Sequence, residues 1–324
     1  MNFLGDVFLD KQYKVKIDLE DFVFNLEYPF STSGTPAKNK INLGADIPNI
    51  RETFGKFPLA VNLANNHIMD YGEEGFNKTI NYLEENEIRY FGAGNESDNY
   101  NNPCVLEWKS KKIAFMGYSC PSTHPVFGDK VLNGSAKLDI IKVVKDIQSV
   151  KDTVDFVVVN FHWGDEEITY PKATDVAIAR LTIDAGADLI IGHHAHVIQS
   201  MEVYNNKHIF YGVGNFIFPD FDVPCSYDGK EFLKRSSKIQ EKSNKETIIV
   251  TLEESLMINY NTAIFYNGVV QKKEITIPKW IPNKQKYYDI YKKIWIKKRM
   301  IKIFVKNPRI PNINQVKLLF GIKV

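Results

Sequence analysis

Cysteine is scarce. The 324 residues hold three, Cys104, Cys120 and Cys225, with no CxxC spacing, which argues against both a disulfide framework and a thiolate zinc site. No apolar run approaches the roughly 20 residues needed to cross a bilayer, and the opening Met-Asn-Phe-Leu-Gly-Asp lacks the basic head and apolar stretch of a secretory signal. A cytoplasmic protein is the resulting expectation. Internal repeats and low-complexity segments are missing too. A net charge of one sign is almost absent, with 41 basic residues against 39 acidic, but the balance hides an asymmetry. Residues 279–324 hold thirteen bases and one acid, Asp289, leaving 28 bases and 38 acids in residues 1–278. The body is acidic and the tail basic.

Hydrophobic residues at 44% and charged residues at 25% describe an ordinary globular chain long enough to bury a large core. Through the first 220 residues short apolar runs alternate with amphipathic stretches, the rhythm of a layered α/β fold. The pattern predicts strands at Phe22 to Leu26, Leu59 to Leu63, Ile113 to Tyr118, Asp155 to Phe161, Leu189 to Ile191 and His208 to Tyr211. Helices are expected over Glu74 to Asn86 (apolar face Phe76, Ile80, Leu83), Leu138 to Val150 (Ile141, Val144, Ile147) and Ala173 to Ala185, the last stopped by Gly186. Residues 220–246 are polar and aperiodic, which predicts an insertion or lid loop. Strands at Thr247 to Leu252, Ala263 to Tyr266 and Glu274 to Ile277 would then complete a domain over 1–278, followed by a basic, aromatic extension over 279–324.

Histidine carries the sharpest chemical signal. Ile190-Ile-Gly-His-His-Ala-His196 runs an apolar strand straight into three imidazoles, and imidazole is the commonest metal ligand. Asp155 to Phe161 ends in His162-Trp-Gly-Asp-Glu166, where a histidine alone is as well read as a hydrogen-bonded structural residue. Leu59 to Leu63 leads into Ala-Asn-Asn66-His67-Ile-Met-Asp70, which reads either as an Asx-rich turn capping a helix or as a ligand amide beside an imidazole oriented by a carboxylate. Asp6 and Glu27 follow further apolar runs. Five strand ends that each deliver an oxygen or imidazole donor suit Mn, Fe or Zn better than Mg or Ca.

Gly5-Asp6, Asn25-Leu-Glu27, Leu63-Ala-Asn-Asn-His67 with Asp70 and Gly72, His162-Trp-Gly164 with Glu166, Gly186 to Gly192, His194-Ala-His196 and Gly214-Asn-Phe216 resemble the ordered motif series of the bacterial CapA family. That family is named for poly-γ-glutamate capsule biosynthesis and is a branch of the calcineurin-like metallophosphoesterases. The match spans about residues 3 to 218, and several motifs in order are far more specific than any one. The resemblance implies an α/β fold, a four-layer α/β/β/α metallophosphoesterase-like sandwich, with two divalent metal ions at the strand ends. By motif, Asp6 and His196 would hold one ion, Asn66, His162 and His194 the other, and Glu27 would bridge them. His67, held by Asp70, would be the acid beside the leaving group, and Glu166 and Asn215 would support ligands or touch substrate. His193 falls outside the implied ligand set. Two features depart from the wider pattern: Phe8 stands where the superfamily usually has a ligand histidine, and Glu27 replaces the bridging Asp. Family members working at the cell surface are typically anchored, whereas this chain starts close to its first motif.

The expected function is therefore a metal-dependent hydrolase, a phosphoesterase acting on a phosphoester or anionic polymer in capsule or surface-polymer biosynthesis. Two alternatives stay open: a non-catalytic polymer-binding accessory protein of a membrane polymer synthase, and a metal-dependent hydrolase of γ-glutamyl amides. In the tail, Trp280, Tyr287, Tyr288, Tyr291, Trp295 and Phe304 interleave with Lys292, Lys293, Lys297, Lys298, Arg299 and Lys302. That pattern suits peripheral contact with an anionic membrane at its inner face, and equally a solvated basic helix packed on the acidic body by its aromatic side. No nucleic acid is expected, since no nucleic-acid motif accompanies the basic segment.

Overall fold

The computed structural model describes residues 1–97 and 103–306. Two sheets lie face to face. In the nine-stranded sheet the order is Lys14–Val15, Val269–Lys272, Ile258–Tyr266, Glu246–Leu252, Asn2–Val7, Phe22–Leu26, Ala60–Asn62 and Arg89–Phe91, with Asn215–Ile217 also paired to Asn2–Val7. In the six-stranded sheet it is Met201–Tyr204, Lys207–Phe210, Leu189–His193, Phe156–His162, Lys111–Ser119 and Cys104–Trp108. The central strands of each sheet are parallel, so their carboxyl ends collect along one edge, where open α/β sheets place ligands.

Three apolar layers hold the stack together. Phe3, Val23, Phe115, Val158 and Ile191 fill the space between the sheets. Outside the larger sheet, Phe24 and Val61 meet Ile50 of the helix Ile50–Phe54 and Phe76 and Leu83 of the helix Gly72–Glu85. Outside the smaller one, Val157 and Ile190 meet Val143 and Ile147 of the helix Ile140–Val150 and Val176 and Ala179 of the helix Ala173–Ala185. The result is a four-layer α/β/β/α sandwich. Full burial of one such side chain contributes about 1.5–3 kcal/mol, and the central strands are buried on both faces, which is why they read as continuous apolar runs.

Three expectations need correction. Residues 220–246 are no loop: Phe221–Tyr227 and Phe232–Lys238 pair as an antiparallel hairpin, and Lys242–Lys245 forms a 3-10 turn. The hairpin's first strand alternates Phe221, Val223, Cys225 and Tyr227 on one face, and its second, from Lys234 to Lys238, is polar and solvated, which hides the pair in a charged stretch. Glu274 to Ile277 forms no strand; the final hairpin pairs Ile258–Tyr266 with Val269–Lys272 through Asn267-Gly268, an Asn-Gly turn of the kind that favours hairpins. In the helix Ile140–Val150, Ile141 is 79% exposed. Asp139 caps its first turn by accepting from the Ile141 N–H, and this start turns Val143 inward beside the expected Ile147. In the tail a helix spans Gln285–Lys306, while residues 307–324 of the predicted extension lie outside the described residues. Among the described residues no helix is long and apolar enough to cross a membrane.

Candidate metal centre

Asp6 enters from the first strand, where the chain runs unusually close to its neighbour. A side-chain carbon on Gly5 would stand 1.9 Å from the Gly214 carbonyl oxygen, so only glycine admits the bond from the Asp6 N–H to that oxygen at 3.1 Å. Glu27 follows Phe22–Leu26 and is fully buried. Asn66 and His67 sit in the turn after Ala60–Asn62, His162 ends Phe156–His162, and His194 and His196 follow Leu189–His193. His194 and His196 both adopt left-handed backbone conformations, φ 84° and 54°, a strained choice for residues with side chains that the surrounding structure must hold in place.

These side chains form two groups. Asp6, Glu27 and His196 offer donor atoms within 4.8 Å of one another, and so do Glu27, His162 and His194. Glu27 belongs to both, and its Oε1 lies 3.6 Å from His162 Nε2 and 3.6 Å from His196 Nε2. Asn66 joins the second group, with Oδ1 2.7 Å from His162 Nε2. His194 Nδ1 approaches the same nitrogen at 3.1 Å. One imidazole nitrogen carries at most one proton, so Asn66, His194 and Glu27 crowd lone pairs around a point that a cation would neutralise.

Charge in the group is uneven. Burial opposes ionisation of Asp6, yet hydrogen bonds from His193 and His196 outweigh it and hold the carboxyl well below the usual range. Burial, with Asp6 close by, pushes Glu27 well above it. Burial also holds His162 well below the ordinary histidine value and takes His194 down to about 3, leaving both imidazoles neutral, the state that ligates metal. At His196 burial is overcome by Glu27 and Asp6, and the ring is pushed up to about 9. Among the described residues neither Glu27 carboxylate oxygen has a hydrogen-bond partner. A buried carboxylate left so is costly unless a cation completes it, and the donor set of three imidazoles, two carboxylates and an amide fits divalent metal.

The remaining predicted residues lie at the rim. His67 Nδ1 is 2.6 Å from Asp70 Oδ2, which also accepts from the Leu43 N–H at 2.8 Å, and the Lys40 ammonium pairs with the other carboxylate oxygen. Burial lowers the His67 pKa against the pull of Asp70. Asn215 Oδ1 accepts from His196 Nδ1 at 2.8 Å, and its amide donates to the Asn244 carbonyl at 2.9 Å, so Asn215 orients the ring and turns Nε2 toward Glu27. Glu166 is exposed; desolvation by the crowded site works against its charge, but the imidazoles of His196 and His194 hold its pKa below the ordinary value.

A polar support beneath the ligands escaped the sequence reading. Asn25 donates to Asp6 Oδ1 at 2.9 Å, and Asn62 and Asn65 donate to the Asn25 oxygen at 3.0 and 3.3 Å. His193, outside the predicted ligand set, lies in neither group; its Nδ1 is 3.0 Å from Asp6 Oδ1 and its Nε2 3.1 Å from the Asn160 side chain. The signal was present, since Asn25, Asn62 and Asn160 interrupt apolar strands, where asparagine is disfavoured.

Residues 9–220 match the family model described as bacterial capsule synthesis protein PGA_cap. The capsule biosynthesis protein CapA of Bacillus anthracis is 31% identical over 243 residues, 67% of this chain and 59% of that protein. The PGA biosynthesis protein CapA of Bacillus subtilis is 36% identical over 159 residues, 49% of this chain and 42% of the relative. The chain thus spans about half the length of these curated relatives. Among solved structures, a putative 5′-nucleotidase from Staphylococcus aureus aligns at 12% identity and a TM-score of 0.45, over 80% of this chain and 47% of that one.

Proposed function

This chain belongs to the PGA_cap family of bacterial capsule synthesis proteins, and on that premise we propose that it is a metal-dependent hydrolase of phosphoesters serving the synthesis of a capsule or surface polymer. One observation carries the reading: the buried Glu27 carboxylate, without a hydrogen-bond partner among the described residues, is shared by two groups of imidazole and carboxylate donors. Asp6, Glu27 and His196 would hold one divalent ion, and Glu27, His162, His194 and Asn66 a second. Such ions supply positive charge for the phosphoryl oxygens and acidify a water for attack.

The chain's own residues supply the rest. Asp70 takes the His67 Nδ1–H, so Nε2 is the nitrogen that carries a proton to the departing oxygen. The lowered His67 pKa makes the doubly protonated ring a stronger acid but a scarcer form at neutral pH, so turnover by this route should rise as pH falls toward that pKa. Asn215 holds His196 in the tautomer that points Nε2 into the group. Asp6 is kept ionised by His193 and His196, and Asn25 fixes its angle.

The test is chelator-stripped protein reloaded with Mn or Zn and offered aryl phosphomonoesters and phosphodiesters. Hydrolysis should vanish on stripping, return on loading, and fall sharply in His162→Ala and His67→Ala. Metal bound at wild-type level without cleavage of any phosphoester would instead favour an accessory role, the word printed in the name of a Mycobacterium tuberculosis relative 28% identical over 219 residues. Wild-type hydrolysis by both variants would sink the hydrolase reading.

A further inference from the structure

The helix Gln285–Lys306 has two faces of different character. Its inner face is tied to the loop that follows the ligand His162. Tyr288, 1% exposed, donates from its hydroxyl to Asp165 Oδ2 at 2.5 Å, and the Lys292 ammonium reaches the same oxygen at 2.6 Å. Arg299 pairs with Glu167 and Lys302 with Glu241. Tyr170 stacks edge-on with both Trp280 and Tyr291, centroids 4.9 and 4.7 Å apart.

On the outer face Tyr287, Ile290, Ile294, Ile301 and Val305 follow one another at spacings of three, four, seven and four residues, a single stripe on an α-helix. All are exposed, Ile290 by 54% and Ile301 by 58%, and the stripe continues into the exposed indole of Trp280. Lys286, Lys293, Lys297 and Lys298 border it. Each is exposed, and none has an ion-pair partner among the described residues. A soluble surface seldom leaves such an apolar stripe, interrupted for one turn by Lys297 and Lys298, without a use.

We propose that this outer face is an interfacial helix surface that docks on an anionic lipid membrane, with the isoleucines and Trp280 entering the acyl boundary and the bordering lysines meeting the headgroups. Both halves of the pattern are needed to choose the partner. A soluble polyanion would satisfy the lysines and leave the isoleucines in water. A neutral apolar groove would cover the isoleucines and strand the lysines. An anionic bilayer offers acyl chains and negative charge in one plane, and aromatic rings favour the boundary between them. Because the inner face grips Asp165 and Glu167, docking would set the metal centre at a fixed height and orientation near the membrane. The proposal stands whether or not that centre turns over substrate.

Co-sedimentation of the full chain with vesicles tests it, using phosphatidylcholine alone and phosphatidylcholine mixed with phosphatidylglycerol. Binding should be at least about tenfold tighter to the anionic vesicles and weaken in high salt, as expected for lysines near a charged surface. Ile290→Glu/Ile294→Glu should reduce binding about tenfold or more, with thermal unfolding and metal content unchanged because the stripe is solvent-exposed. Lys293→Glu/Lys297→Glu, at two exposed positions, should reduce it independently. No binding to anionic vesicles overturns the proposal, as does wild-type binding by both variants. A stable wild-type dimer that the isoleucine variant splits would assign the face to a second copy and overturn it equally.

Discussion

The two sheets bring opposite chemistry to their shared edge. From the nine-stranded sheet come the oxygen donors, Asp6, Glu27 and Asn66, together with His67; from the six-stranded sheet come His162, His194 and His196. Among the oxygen donors one carboxyl is held ionised and the other is pushed toward its neutral form. The imidazole side holds two neutral rings and one that gains a proton from its acidic neighbours. Among the described residues neither sheet supplies a candidate ligand group by itself, because both groups cross the seam. The centre is thus a product of sheet packing, and the apolar layer around Phe3, Val23, Phe115 and Val158 that joins the sheets also sets the distances between the donors.

The comparison breaks most completely at Glu27, the one donor common to both groups. Glu27→Ala should lower metal affinity and hydrolysis by more than about a hundredfold, measured by equilibrium metal binding and phosphoester turnover. His67→Asn comes next: it should reduce turnover about 10²–10³-fold with metal content intact, and an equal loss of metal would make His67 a ligand instead. In chelated protein the sign reverses. Glu27→Gln should then raise stability to denaturant at neutral pH by about 1–3 kcal/mol, since it removes a carboxyl whose ionisation burial opposes. Asn25→Ala frees Asp6 from one of its orienting bonds, and about a tenfold drop in metal affinity is expected.

The smallest effect concerns a buried acid on the imidazole side, Asp175, in the first turn of the helix Ala173–Ala185. Burial pushes its pKa up to about 7 against the help of Lys172. A carboxyl whose folded pKa is raised keeps its proton in the folded state after the unfolded chain has lost it. Stability is therefore lost as pH climbs from about 4 to about 7. Asp175→Asn should gain on the order of 1 kcal/mol over wild type at pH 8 and nothing at pH 4, read from denaturant midpoints; the gain stays modest because the charge also favours the helix N-terminus.

Much of this was legible in the chain. The helix Ala173–Ala185 and the strand Phe22–Leu26 lie where their periodicity puts them, because both elements are buried along a full face. Histidines placed after apolar runs revealed the imidazole half. The oxygen half was harder to see: Asp6 and Glu27 are single acids after strands, and only the ordered motif series marked them. The roles of His193 and the asparagines under Asp6 were missed because the polar interruptions that mark them name no partner: their hydrogen bonds join residues 19 to 187 positions apart. The hairpin over 221–238 was misread because only its first strand carries an apolar face, Phe221 and Val223 packed on the core of the larger sheet, while its second strand is mostly polar and exposed.

The shared carboxylate is the central claim, and metal stoichiometry tests it most directly. After saturation with Mn or Zn and removal of free ion, mass spectrometry should find about two ions per wild-type chain, about one in His196→Ala and almost none in Glu27→Ala. A wild-type chain that retains no ion, or a Glu27→Ala chain that retains two, would contradict the account.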